Sequence, residues 1–338
     1  MLAVLALLVA TVVAAAALSR APATKTPPDP YRWARPAATR LAAAGLWPEL
    51  AGADLSRLAT RADLDRATTI LTGLPAASPD PAAPASAWLA DRRIVDALGL
   101  EPERLGLQAL TTDDARPLAL PPNFGSEVLV RELGLLRNRS RDELERARAQ
   151  PVPLATLVVM VDRARALTPE DRTRVALFRS IRLPAMSDAR FAVVQAALSQ
   201  VGQPYVWGGD WPSPRSPWGR QAHGGFDCSG LAWWAYSAGG ARPAALGGLG
   251  RRTADQMAWQ EVAREREAVE LAAPGDLVFF GDRGTRSRRG SISHMGIAIG
   301  NGWMVQSSGS RAGVSVTFLP EYWPEGQAFG RRVEELGE

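Results

Sequence analysis

The sequence predicts an α+β protein in two parts, an all-helical domain followed by a mixed one. Three observations carry this. The chain has 338 residues, room for two domains at about 100–200 residues each. From Ala37 to about Leu183 it is rich in Ala, Leu and Arg at helical spacing, with short breaks at Pro and Gly. At about Met186 the character changes. Eight of the eleven tryptophans follow, glycine becomes frequent, and short β-type runs appear, Leu277-Val278-Phe279-Phe280 and Met295-Gly296-Ile297-Ala298-Ile299. Helices gathered in one half and strands in the other make an α+β chain.

The elements follow in order. Leu2 to Leu18 are apolar except for Thr11, and Ala21-Pro22-Ala23 offers a small-residue cleavage pattern. Residues 1–23 therefore read as an export signal, with an uncleaved membrane anchor as the alternative. Either way the remainder is expected outside the cytoplasm. Residues 24–36 are Pro-rich and read as a linker. No other long apolar run occurs, so membrane contact is expected only through the N-terminal segment. Hydrophobic residues make up 46% and charged residues 22%, a globular balance, and the net charge of +4 is too small to mark a nucleic-acid binder.

Within residues 37–183 the layout repeats. A helix over Ala38–Leu46 is followed by a loop and a second helix opening at Arg61 and ending near Leu71. Later, Ser126–Leu136 is followed by a loop and a helix from Leu154 to about Leu167, and Ala87–Leu100 reads as part of a middle unit. This layout, with Thr60-Arg61-Ala62-Asp63-Leu64 at a helix start, resembles S-layer homology repeats. That resemblance implies a wall-binding domain docking onto anionic polymers; a plain helical spacer is the other reading.

Residues 186–338 carry the chemistry. Cys228 is the only cysteine, and the only histidines are His223 and His294, so neither an internal disulfide nor a multi-cysteine metal site is available. In Gly225-Phe226-Asp227-Cys228-Ser229-Gly230-Leu231, Asp227 is suited to cap a helix that begins at the cysteine. A thiol at a helix start meets unpaired amides and the positive end of the dipole, which are expected to lower its pKa and favour the nucleophilic thiolate. The same amides suit a developing oxyanion. His294 sits at the start of a strand that ends in the turn Gly300-Asn301-Gly302, a rigid place for a base, whereas His223 lies in a loop. Gln306, twelve residues beyond His294 on the returning strand, can accept the imidazole N–H and fix the tautomer.

Four segments in order, Tyr205-Val206-Trp207-Gly208-Gly209, Phe226-Asp227-Cys228-Ser229-Gly230-Leu231, Pro274-Gly275-Asp276-Leu277-Val278-Phe279-Phe280 and His294-Met295-Gly296-Ile297-Ala298-Ile299-Gly300-Asn301-Gly302, resemble the NlpC family of papain-like bacterial cell-wall cysteine peptidases. The resemblance covers about residues 188–332. It implies a papain-like fold, with a helix-borne cysteine packed on an antiparallel sheet that carries the histidine. It also implies hydrolysis of peptidoglycan stem peptides, usually between γ-D-glutamate and the following diamino acid, with no cofactor. Cys228 is then nucleophile, His294 base and Gln306 the third polar residue. Tyr205, Asp227, Ser229 and Trp207 are expected around substrate or oxyanion. The third position is often His in this family, and Gln306 lends no charge. Two long segments depart from the pattern: 210–224, with Trp211, Trp218 and His223, and 282–291, with four arginines before His294. An amidase cutting the lactyl–L-alanine link, or a catalytically silent wall-binding protein, are the competing readings.

Overall fold

The computed structural model describes residues 29–136, 149–217, 219–221, 223–237, 253–259 and 266–332. The expected leader at 1–23 and Trp218 lie outside them, and no helix among the described residues is long and apolar enough to cross a membrane.

The first half is helical: α1 Arg35–Ala43, α2 Arg61–Thr72, α3 Ala87–Ala97, α4 Glu101–Gln108, α5 Phe124–Glu132, α6 Leu154–Arg165 and α7 Pro169–Ala176. Local chemistry sets the ends. Thr60 and Asp63 form a reciprocal capping box at the start of α2, and Gly73, at φ 73°, closes it in the left-handed conformation. Arg57 adds a two-pronged contact to the Asp63 carboxylate at 2.7 and 2.8 Å. Thr168 and Asp171 repeat the box on α7. The first helix starts at Arg35, inside the stretch expected to be linker, because Pro36 is tolerated in a first helical turn. The helix expected over 126–136 stops at Glu132, and Gly134 turns the chain at φ 64°.

The segments leading into α2, α3 and α6 close a ring of backbone hydrogen bonds. Ala59 N–H donates to Val152 (2.8 Å), Val152 N–H to Ala85 (3.0 Å) and Ala85 N–H to Ala59 (2.8 Å). Each residue in turn donates to the next and accepts from the last, so three helix starts meet about one point. All three side chains are buried.

The second half is an antiparallel sheet of six strands in the order β5-β10-β6-β7-β8-β9: β5 Arg266–Glu267, β6 Leu277–Gly281, β7 Ile292–Gly300, β8 Trp303–Ser308, β9 Gly313–Phe318 and β10 Gln327–Arg331. Strand alternation divides its two faces: Leu277 and Phe279 join the main core, Val278 and Phe280 a smaller cluster on the other side. At about 1.5–3 kcal/mol for each fully buried large apolar side chain, this β6 run alone anchors the sheet. The two-residue turn Asn301-Gly302, with φ of 52° and 77°, joins β7 to β8 as a type I′ hairpin. Among the described residues this half also holds three α-helices: α8 Asp188–Ser199, α9 Cys228–Ser237 and α10 Ala254–Ala258. Residues 210–226 form a narrow ribbon of two-residue strands, β1 Asp210–Trp211 with β4 Gly225–Phe226 at its base and β2 Arg215–Ser216 with β3 Gly219–Arg220 further out. The Gln221 side chain pins that base, accepting from Asp210 N–H at 3.2 Å and donating to Trp211 and Gly225 carbonyls at 2.6 and 3.1 Å.

One hydrophobic core runs from Ala34 to Ala328, through both halves. The helix α5 is buried at all nine positions because it lies between α3 and α4 on one side and β9 on the other.

Candidate active site

Cys228 is the first residue of α9. Asp227 caps that helix as expected: its Oδ1 accepts from Gly230 N–H at 2.7 Å and from the Ser229 hydroxyl at 3.0 Å. The other carboxylate oxygen accepts from Gly208 N–H at 3.0 Å, tying the Tyr205–Gly209 segment to the cysteine loop. Asp227 and Ser229 thus hold the loop together with the groups the sequence assigned to substrate. Tyr205 bridges in parallel to Phe226, two residues before the cysteine. Trp207 is 89% exposed, one residue before the amide that Asp227 holds. Beside the helix start lies a cavity of about 290 Å³ lined by Gly208, Gly209, Asp227, Ser229, Trp233 and Gln256 among others.

His294 is the third residue of β7 rather than its first. Its Nε2 lies 2.6 Å from Gln306 Oε1. Gln306 is fully buried, and its own Nε2 donates to Thr317 Oγ1 at 3.1 Å. The amide nitrogen donates to Thr317 and the oxygen faces the imidazole, an arrangement that suits the tautomer with the proton on His294 Nε2. Nδ1 keeps the lone pair. The hairpin register places Gln306 diagonally to His294 with Gly296 between them on that face. A Cβ at 296 would come within 2.9 Å of the Met304 sulfur and 3.5 Å of the Gln306 Cβ, so the missing side chain leaves the diagonal open.

Cys228 and His294 approach each other through the backbone. The Cys228 sulfur faces the N–H of Met295, the residue after His294, together with the amides of Ser229 and Cys228 itself. Here the structure corrects the electrostatic expectation. Burial, followed by the neighbouring Asp227 carboxylate, pushes the thiol up to about 12, and the three amides offset only part of this. Burial likewise takes the imidazole down to about 4, opposed by the Gln306 hydrogen bond. Both side chains keep some accessible surface, yet protein surrounds them on most sides. A helix start alone favours a thiolate; a thiol wedged between α9 and β7, beside an anion, rests as neutral S–H next to a neutral imidazole. Asp227's own carboxyl is raised for the same reason, burial, against four hydrogen bonds that lower it.

His223 does not join the pair; its Nδ1 is 2.8 Å from the Gly224 carbonyl. The 282–291 segment forms a 3-10 turn at Gly284–Arg286, and Asp255 of α10 accepts from Gly290 and Ile292 N–H at 2.8 and 3.1 Å. Arg289 donates to the Trp259 carbonyl at 3.2 Å. Sequence reasoning missed Thr317, which orients Gln306, and Ser307, whose hydroxyl donates to the Phe226 carbonyl at 2.7 Å. Consecutive β8 residues thus hold His294 on one face and the loop before Cys228 on the other. Strand alternation from Gln306 is the signal for Ser307; nothing local marks Thr317.

The second half of the chain has counterparts among known proteins. Residues 202–331 match the NlpC/P60 family. These residues form an NlpC/P60 domain. Murein DD-endopeptidase MepH from Escherichia coli is 36% identical over 161 residues, covering 44% of this chain and 50% of that one. The bifunctional muramidase/DL-endopeptidase CwlT from Bacillus subtilis is 37% identical over 141 residues, covering 41% and 35%. The crystal structure of the P60 domain from Mycobacterium avium subspecies paratuberculosis antigen MAP1204 is 30% identical, with a TM-score of 0.32, over 43% of this chain and 94% of that one. The chain spans half the length of MepH and about a third of CwlT. The expected α+β class, helices first and an antiparallel sheet after, holds in the NlpC/P60 domain and the region before it.

Proposed function

We propose that the protein is a cysteine endopeptidase of peptidoglycan stem peptides, with Cys228 as nucleophile, His294 as base and Gln306 as the residue that orients it. The observation that carries this is the 2.6 Å His294–Gln306 bond on the strand whose next amide, that of Met295, faces the Cys228 sulfur. With Nε2 engaged by Gln306, Nδ1 takes the thiol proton as sulfur attacks the scissile carbonyl. The oxyanion forms beside the start of α9, where the Cys228 amide is not used by Asp227, and Tyr205 flanks it. Collapse expels the amine, which takes the proton back from Nδ1, and leaves a thioester at Cys228. Water then attacks the thioester, giving its proton to Nδ1, and the thiol is restored. No cofactor enters. The cavity beside Asp227 and Ser229 receives the peptide next to the scissile bond, with the exposed indole of Trp207 at its approach.

The bond proposed is that between γ-D-glutamate and the diamino acid, and the DL-endopeptidase name of CwlT supports it. MepH, named a DD-endopeptidase at nearly equal identity, supports cleavage at the cross-link as the second reading. The helical half is read as the part that meets anionic wall polymers, a reading supported by the likeness of Thr60-Arg61-Ala62-Asp63-Leu64 at the start of α2 to S-layer homology repeats; a plain helical spacer is the alternative. Export, and action at the wall or the outer membrane face, follow from the substrate and from the N-terminal apolar run. The test is incubation of the full chain and its Cys228→Ala variant with purified muropeptides, products being read by mass spectrometry. Fragments beginning at the diamino acid, absent with the variant, are expected. Cleavage only at cross-links establishes the second reading, and intact free stem peptides overturn both in favour of an amidase.

A further inference from the structure

The imidazole is walled by aromatic rings that the three reacting side chains do not account for. Tyr322 lies 5.6 Å from His294 between ring centroids at 45°, Phe280 lies 5.7 Å from it at 41°, and the two rings meet edge-on at 5.3 Å. The chain reaches this arrangement through a strained residue. Trp323 has φ 44° and ψ 61°, the left-handed region, which costs a bulky residue on the order of 1–3 kcal/mol. Its indole lies nearly parallel to Phe280, at 9° and 6.2 Å, and covers Gly326, where a Cβ would fall 2.2 Å from the ring.

The phenol of Tyr322 lies beside the hydroxyls of Ser308 and Ser310, which are themselves 3.2 Å apart. Ser308 ends β8 and caps the turn that holds Ser310, and the helical half grips that turn. Arg311 Nη1 donates to the Glu132 carbonyl at 2.7 Å and sits 3.1 Å from the Glu132 carboxylate. Arg131 donates to the Arg311 carbonyl at 3.3 Å and also to that of Ala312. The Glu132 carboxylate is 3% exposed and is shared with Arg174 at 3.1 Å. A carboxylate buried between two guanidinium groups is held stiffly, because moving it leaves a charge unpaired.

We propose that Tyr322 is a positioning residue for the His294 imidazole, set in place across the boundary between the two halves by the Glu132–Arg311 pair. The helical half is then part of the catalytic apparatus. The inference rests on His294 acting as base to Cys228. Gln306 fixes the ring at Nε2, but a ring pinned at one atom still swings about that bond. The faces of Tyr322 and Phe280 stop the swing, and the serine hydroxyls beside the phenol limit how far it can turn away.

Because Cys228 is the only cysteine, its alkylation by iodoacetamide reads the pair without any substrate. The full chain is compared with Tyr322→Phe, Arg311→Ala, Arg311→Lys, the Tyr322→Phe/Arg311→Ala double variant and His294→Ala, with thermal midpoints recorded for each. At neutral pH, Tyr322→Phe and Arg311→Ala are each expected to slow alkylation about tenfold, part of the ~100-fold that a misplaced catalytic group costs. The double variant is expected to be no slower than the slower single, Arg311→Lys to recover part of the loss, and all rates to converge at high pH as the thiol ionises unaided. Rates equal to wild type in Tyr322→Phe and Arg311→Ala, or losses that multiply in the double variant, overturn the proposal. A rate unchanged in His294→Ala overturns instead the assignment of the base.

Discussion

The thiol of Cys228 and the imidazole of His294 rest in their uncharged forms, and this determines how the site responds to pH. Burial holds the imidazole near 4, well below the ordinary 6.5, so it stays available as a base through mildly acidic conditions. The acid limb of kcat/KM is therefore expected closer to pH 4 than to 6.5, and a rate profile down to that range checks it. The same shift acts on stability. Between about 6.5 and 4 the unfolded chain binds a proton at this histidine that the folded chain does not, so His294 lowers stability as pH falls through that window. The raised thiol contributes the opposite way, its stabilisation fading only as pH climbs from 9 towards about 12. Gln306→Ala removes the acceptor that faces the imidazole and leaves the Thr317 hydroxyl with Ser315 alone. A fall in kcat of roughly 100-fold, with KM little changed, is expected from steady-state kinetics; the loss of tautomer control costs more still in other triads.

The elements show which parts of this were legible. The helix α2 was readable because Thr60, Asp63 and Gly73 mark its ends within a few residues. Thr60→Ala is expected to lower stability by about 1 kcal/mol in denaturant unfolding. The β7–β8 hairpin was readable from Gly300-Asn301-Gly302, and with it the reach from His294 to Gln306. The helix start at Cys228 was readable too, but its effect on the thiol was not, since the burial and the Asp227 charge that override the dipole come from packing. The Arg190–Asp276 pair also lay beyond reading: the residues are 86 apart in sequence, nearly fully buried, and join α8 to the loop before β6 at 3.0 Å. Arg190→Ala removes the guanidinium from a carboxylate with no exposed surface and leaves the Pro274 carbonyl short of a donor. A destabilisation of roughly 3 kcal/mol by urea titration is the expected outcome.

The whole molecule is held by a core that ignores the change of composition at Met186. Phe178 of the first half packs at 4.7 Å on Trp303 of β8, and Arg131 reaches the carbonyl of Gly202 at 3.1 Å. Gly202 itself lies against Glu127, leaving no room for a Cβ. Heating the full chain is accordingly expected to give one cooperative unfolding transition by calorimetry, with two separated transitions counting against a shared core. Arg131→Ala is expected to lower that single midpoint, because Glu127, 3.2 Å away and buried, loses its cation.

The sequence by itself determined the α+β class, the order of the two halves, the cysteine-bearing helix, the histidine-bearing strand and the pairing of His294 with Gln306. These depend on chemistry within a dozen residues: caps, turns, strand alternation and motif spacing. Only the tertiary structure decided the protonation state of the Cys228 thiol, the Thr317 and Ser307 contacts around it, and the joining of the halves through Glu132, Arg131 and Arg311. Each of those depends on which groups share a buried volume. Desolvation and the cost of an unpaired buried charge act through space, between residues that no local pattern brings together.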